Sequence, residues 1–318
     1  MREILSINLS VGRSCFVRCK GCYNHFGKHA FLAQTQHMLC FLRKAKDKGI
    51  SKVTLCGGDP LSRPDILDLI QKIKSMGFYI IMDTVGTVLL DNTPTIFFGN
   101  NLMPKIDAKI LAENTDLLGI PVDGASNEEM AYFRTGRSNI FNEQLQIIKI
   151  LQSVHATLCI NTVVNKGNVN NVSGICRQIE QFLPVKKWQL FQFMPIGLLG
   201  YRNRAMYEIE DSQFHDFQCA VLEYFSGSSF LEHIEFKAKA TRKGNYMLID
   251  ANGVAWVPNI TPGGIWDPAT DSNNDRLIIG SISNIGDHDK VLDVILNPES
   301  IWDSIFTTDS QNRISGVA

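Results

Sequence analysis

Strand-like and helix-like segments alternate through the first 193 residues of this 318-residue chain, and that rhythm admits few folds. Residues 3–10 alternate apolar and polar, as a strand does. Residues 34–49 follow a helical period, with Met38, Leu42 and Ala45 on one face and Gly49 as the C-terminal cap. A strand at 53–56 leads to a turn at 57–60, and a helix from Pro64 stops before Gly77. Strands at 79–83, 117–122, 156–164 and 187–193 follow, with helices at 139–153 and 172–182 between them. Such alternation predicts an α/β fold with a parallel sheet and outer helices. About six strand–helix units predict a partial (β/α)6 TIM-like barrel, open on one side, with ligands at the carboxyl ends of its strands.

Residues 85–112 read as an irregular insertion. Beyond Pro195 the rhythm changes to one amphipathic helix at 211–225 and short strand-like runs at 246–250 and 277–282. A Gly/Pro/Asn/Asp-rich loop covers 258–275. The expected division is a barrel core over residues 1–195 and a C-terminal segment over 196–318 that caps the barrel and contacts substrate. In that cap Tyr246, Asp250 and Trp256 read individually as structural.

A formal net charge of -1 argues against a nucleic-acid binder driven by phosphate electrostatics. No apolar run is long enough to span a bilayer, which excludes a helical membrane protein. The N-terminal residues read as a strand and not as a signal peptide, so a cytoplasmic location is expected.

Chemistry concentrates in two turns. Cys15-Phe-Val-Arg-Cys19-Lys-Gly-Cys22 places three of the eight cysteines in one loop. Three thiolates there can ligate three irons of a cubane cluster and leave the fourth open. The alternative is a four-ligand zinc site, with His25 or His29 supplying the fourth ligand. The second turn, Cys56-Gly57-Gly58-Asp59-Pro60, follows the next strand. Its glycines allow close backbone approach to a ligand, and its carboxylate suits an ammonium group.

A C-x3-C-x2-C loop after the first strand and a Gly-Gly-Asp-Pro turn after the second resemble the radical S-adenosylmethionine superfamily. The resemblance implies a [4Fe-4S] cluster on Cys15, Cys19 and Cys22, with the methionyl amine and carboxylate of S-adenosylmethionine chelating the open iron. Carbonyls of the turn at Gly57, Gly58, Asp59 and Pro60 would hold the amine. Where the family often has an aromatic residue before the third cysteine, this chain has Gly21. Tyr23 then becomes the candidate for adenine contact.

Three further segments resemble the viperin-like branch of that superfamily: Phe133-Arg134-Thr135-Gly136-Arg137, the run from Ile160 through Asn161 to Val169, and the run from Pro184 to Gln192. By this resemblance Arg134 lies near the cofactor, where a guanidinium suits its carboxylate. Asn161 reaches the ribose or carboxylate, and Thr84 and Gln192 are looser candidates. Gln192 shares a strand face with Leu190, opposite Lys187 and Gln189. The branch holds a nucleoside triphosphate with basic side chains at positions that here are Cys159, Lys187 and Gln189. Only Lys187 keeps its charge, so a less charged substrate is expected.

Cys159 and Asn161 share a strand face, so a cofactor-facing Asn161 turns the Cys159 thiol toward the lumen. That makes Cys159 the candidate catalytic hydrogen-atom donor, with Cys56 a second. Cys40, Cys176 and Cys219 lie on helical patterns and read as packing. No cysteine follows Cys219, so no auxiliary cluster is expected and redox-neutral chemistry is favoured. The expected activity is hydrogen abstraction from a small sugar-, aminocyclitol- or nucleoside-derived metabolite in natural-product biosynthesis, with flavodoxin or ferredoxin as electron donor. The rivals are a peptide-modifying enzyme or glycyl-radical activase, and a non-catalytic zinc protein.

Overall fold

The computed structural model describes residues 6–23, 32–195, 197–239, 247–258 and 276–297. His25, His29, Tyr246 and nearly all of the 258–275 loop therefore lie outside the described residues.

The main sheet has ten strands: β1 (Ser6–Gly12), β2 (Lys52–Gly57), β3 (Tyr79–Asp83), β4 (Leu117–Pro121), β5 (Leu158–Val164), β6 (Lys187–Gln192), β7 (Ile234–Lys237), β8 (Leu248–Ile249), β9 (Val254–Pro258) and β10 (Arg276–Ser281). Their order is β7-β6-β5-β4-β3-β2-β1-β8-β9-β10. All pairs from β7 to β8 are parallel, and β9 and β10 are added antiparallel. Among the described residues nothing pairs β7 with β10, so the sheet is an open, partial barrel.

The six expected strands are present in the expected order. The sheet runs past them on both sides. β7 is a seventh parallel strand, at only four residues too short to register as a period. The expected 246–250 run is the short β8, which pairs with β1 through Asn8 and Leu9.

Helices cover the outer face. In α1 (Thr35–Asp47) the buried Met38, Phe41, Leu42 and Ala45 form one stripe. Gly49, at φ 90°, ends it as expected. Its N–H donates to the Lys46 carbonyl and that of Ile50 to the Ala45 carbonyl, a Schellman closure. α2 (Ile66–Ser75) buries Ile66, Leu69, Ile70 and Ile73 in the same way. The 85–112 segment is not wholly an insertion. It forms a turn at Thr87–Leu89 and a ribbon of Thr93–Pro94 with Leu102–Met103, then enters α3 (Ala108–Asn114). Asp107 caps α3 by accepting from the Lys109 and Ile110 N–H groups.

α4 (Asn127–Phe133) leads into Arg134, and α5 (Ile140–Ser153), α6 (Val172–Gln181) and α7 (Asp211–Tyr224) continue the outer layer. Cys176 packs in the core as expected, whereas Cys219 is exposed on α7 and Cys40 is half-buried. α8 (His288–Leu296) lies against α1, with Lys44 and Lys48 paired to Asp289 and Asp293.

Alternation assigns the inner face. On β5, Ile160 and Val164 join the apolar core while Asn161 and Val163 line the lumen. On β6, Trp188 and Leu190 point to the helices, so Lys187, Gln189 and Phe191 face inward. Register then places Asp83, Gly119, Cys159 and Lys187 side by side at one level of the lumen.

Candidate functional site

The two chemical turns meet at the carboxyl ends of β1 and β2. The Gly58 N–H donates to the Gly12 carbonyl at 2.9 Å, and the Asp59 N–H to the Ser14 carbonyl at 2.8 Å. A Cβ on Gly57, at φ 135°, would lie 2.5 Å from the Gly12 oxygen, and one on Gly58 only 2.1 Å from the Ser14 oxygen. The glycine pair thus lets the second turn dock on the cysteine loop, a reason of packing that the sequence does not show.

Cys15 is strapped to the 85–107 segment. Its N–H donates to the Phe97 carbonyl, and its own carbonyl accepts from the Ile96 and Phe97 N–H groups. Arg18–Cys19 pairs antiparallel with Arg134–Thr135, putting Cys19 opposite Arg134. All three cysteines line one cavity of about 310 Å³, together with Gly57, Gly58, Asp59, Thr84, Arg134 and Asn161. Burial pushes the Cys15 thiol well up, with Asp59 adding to the effect. Burial also raises Cys19, against the pull of the adjacent Arg134 guanidinium.

Among the described residues no three His, Cys, Asp or Glu side chains converge as a single metal ion requires. Three thiols along one wall of a cavity are the donor set of a polynuclear cluster, whose irons occupy separate corners. The donor set therefore fits the [4Fe-4S] group.

Asp59 is buried and its carboxylate is used within the protein. Oδ1 accepts from the Leu61 N–H and the Thr84 hydroxyl, and Oδ2 from the Val85 N–H. Burial pushes its carboxyl up to about 6 despite these bonds. Asp59 and Thr84 thus brace the turn after β2 against the turn after β3. The backbone of the turn, not this carboxylate, is what remains for a ligand. Pro60 is buried at the start of a 3-10 turn and is not among the residues lining the cavity.

Arg134 lines the cavity but is held by Asp123, through Nε to Oδ2 and Nη2 to Oδ1. Asn161 lines it too, and donates from Nδ2 to Asp83 Oδ1 at 2.9 Å. Cys159 does share its face: the Cys159 Sγ lies 3.5 Å from Asn161 Oδ1. Cys159 is nonetheless buried and is not among the lining residues, whereas Cys56 is. Burial raises both thiols to about 12. Gln192 contributes to the wall, but its side chain faces outward as Leu190 does. It donates to Asp211 Oδ1 and accepts from the Lys239 N–H.

Tyr23 is half-exposed in the wall and reaches Cys56. A Cβ at Gly21 would lie 2.6 Å from Phe133 and 2.8 Å from Phe193. Those rings, packed with Tyr207, occupy the space that a side chain at position 21 would need.

Three residues escaped the sequence reading. Asp83 ends β3 on the inner face and lines the cavity. A polar residue at the carboxyl end of a parallel strand was its available signal. Asp123 is fully buried and orients Arg134. Glu235 accepts from Lys187, from Gln189 at 2.9 Å and from Lys237 at 2.9 Å. Burial alone would raise its carboxyl, but these donors win and hold it at about 2.

The profile of the Radical SAM superfamily matches residues 9–171, about half of the chain. An S-adenosylmethionine-dependent nucleotide dehydratase of Lacinutrix mariniflava is 28% identical over 260 residues, 79% of this chain and 50% of that protein. An AdoMet-dependent heme synthase of Methanosarcina barkeri is 26% identical over 157 residues, 49% of this chain and 41% of that protein. The chain thus spans about half the length of the curated relatives it matches. The fold is that of Streptococcus suis SuiB bound to S-adenosylmethionine, with a TM-score of 0.63 at 16% identity, over 91% of this chain and 65% of that one. With a cysteine loop and a glycine turn meeting in one cavity of such a barrel, the chain belongs to the Radical SAM superfamily.

Proposed function

We propose that this chain is an enzyme that holds a [4Fe-4S] cluster on Cys15, Cys19 and Cys22 and binds S-adenosylmethionine beside it, to act on a small, weakly charged metabolite. When bound, the pair supplies reductive cleavage of the sulfonium to a 5′-deoxyadenosyl radical. The observation that carries this reading is that the cysteine loop and the Gly57–Gly58 turn form adjoining walls of one cavity. In this reading the backbone of residues 57–59 takes the methionyl amine, and Arg134, oriented by Asp123, faces the carboxylate. Asn161 and Thr84 set the ribose side, and Phe133, Phe193 and Tyr23 offer aromatic surface.

The small-molecule reading rests on the lumen. Lys187, the one cation kept from the triphosphate-binding pattern, is neutralised by Glu235. A sugar-, aminocyclitol- or nucleoside-derived substrate and a redox-neutral outcome fit such a wall better than a triphosphate. Leu248 and Trp256 reach the cavity from the C-terminal segment, which supports its role as a cap over residues 196–318.

Cys159 is the proposed hydrogen-atom donor, supported by its place beneath Asn161. Its hydrogen atom passes to the substrate radical, and the thiyl is restored by one electron from a flavodoxin- or ferredoxin-class donor and one solvent proton. Cys56 is the rival thiol, since it lines the cavity.

The test is metal content and 5′-deoxyadenosine release after anaerobic reconstitution. About four irons and four sulfides per chain are expected, lost when Cys15, Cys19 or Cys22 becomes Ala. Zinc without iron, and no 5′-deoxyadenosine, would give the site to a non-catalytic zinc protein.

A further inference from the structure

The charged groups around the cavity are unequally answered. Arg134 is the one cation among the described residues that line it, and Asp123 pairs with it in two contacts. Asp59 also lines it, but its two oxygens take three donors from the surrounding turns. On the adjoining inner face, Lys187 and Lys237 both close on Glu235. Asp83 is different. It is exposed to the cavity, and its carboxylate accepts from the neutral amide of Asn161 at Oδ1. No cation pairs with it in an ion pair among the described residues.

The lumen is shaped around this carboxylate. Gly119 stands beside it on β4, and a Cβ there would lie 2.0 Å from Asp83 Oδ1 and 2.7 Å from Asn161 Nδ2. The absent side chain leaves room for the carboxylate and amide to meet over β4. Asp83 is at the level of Cys159 and Lys187, on the strand itself. The braced pair Asp59–Thr84 belongs to the turns beyond the strand ends. A carboxylate so placed, with a neutral partner and half its acceptor capacity open to the cavity, is completed by a positively charged donor.

We propose that Asp83 is the substrate anchor of this site and that the group it takes is an amine, so that the substrate is an amino-bearing metabolite such as an amino sugar, aminocyclitol or aminonucleoside. This deepens the function proposed above and rests on that reading of the cavity. Asn161 then serves both ligands: its Nδ2 holds Asp83 Oδ1 so that Oδ2 faces the substrate, while the residue flanks the ribose of S-adenosylmethionine. An anionic substrate would meet Asp83 as a like charge, with each nearby cation already engaged.

The test is calorimetric binding to the anaerobically reconstituted, S-adenosylmethionine-bound protein and its Asp83→Asn variant. The probes are matched amine and hydroxyl pairs: D-glucosamine with D-glucose, 2-deoxystreptamine with scyllo-inositol, and 3′-amino-3′-deoxyadenosine with adenosine. Iron content and the S-adenosylmethionine isotherm are taken before any probe is added, and the proposed function stands or falls on those alone. In the wild type at least one amine is expected to bind tenfold or more tightly than its hydroxyl partner. In Asp83→Asn that preference is expected to vanish. The wild-type comparison needs no variant, so equal binding within every pair overturns the proposal even if Asp83→Asn fails to fold. Equal binding within every pair, no binding by any amine, or an unchanged preference in the variant overturns the proposal. So does a fall in S-adenosylmethionine affinity in Asp83→Asn of tenfold or more, which would give Asp83 to the cofactor.

Discussion

Asn161 on β5 donates its side-chain amide to Asp83 on β3 at 2.9 Å, reaching over β4 at Gly119. Neither residue is adjacent to the other in the sheet. The bridge exists because the strand between them has no side chain at that level.

Gly119→Ala is accordingly expected to break it. The new methyl would sit 2.0 Å from Asp83 Oδ1, on a β4 whose five residues are all buried. Overpacking of this kind costs about 1–3 kcal/mol. Urea unfolding should show that loss, and an unchanged midpoint would mean that the two side chains can part freely.

Gly58→Ala should strike the cluster site itself. Its Cβ would lie 2.1 Å from the Ser14 carbonyl, which is backbone next to Cys15 and cannot swing aside. Reconstituted iron per chain is expected to fall below about half of wild type, since the cysteine loop must move off the turn. Gly49→Ala is the control. It has a positive φ of 90° but open space around the Cβ. It should cost about 1–2 kcal/mol of stability and keep its iron.

Asp59 predicts a pH dependence with a definite sign. Burial raises its carboxyl from 3.8 to about 6 in the folded chain. Below pH 3.8 both states hold the proton and the group contributes nothing. As pH rises from about 4 to 6 the unfolded chain releases its proton first, so stability falls, by about 3 kcal/mol in full above pH 6. Urea titrations of cluster-free protein at pH 4 and pH 7 should show wild type losing about 3 kcal/mol more than Asp59→Asn over that interval, with the buried Asp83, also raised to about 6, contributing alike to both. A stability that rises with pH relative to the variant would contradict the burial argument.

Glu235→Gln would release Lys187 and Lys237 together, because both close on that one carboxylate. The lumen would then gain a net positive charge on its inner wall. Binding of ATP is expected to strengthen by about tenfold over wild type at low salt, and the gain should shrink as salt is added. Equal ATP affinity in the two proteins would show that the neutralised lysine does not set the charge preference.

Local patterns in the chain determined its fold class and the position of its reactive turns. The helical stripe Met38–Leu42–Ala45, the Gly49 cap, the six strands and the cysteine loop each declare themselves within a few residues, because helix and strand periods are local properties. Alternation also put Cys159 with Asn161, and Gln192 with Leu190. Tertiary structure decided what those faces meet. It turned Gln192 away to Asp211 and Lys239, and used the Asp59 carboxylate as a brace in place of a ligand contact. It filled the space beside Gly21 with Phe133 and Phe193, and set Glu235 against Lys187. Asp83 and Asn161 are separated by 78 positions in sequence and joined only by strand register. No window of sequence holds such a pair, since burial and hydrogen-bond partnership are properties of the assembled sheet and not of the segment that enters it.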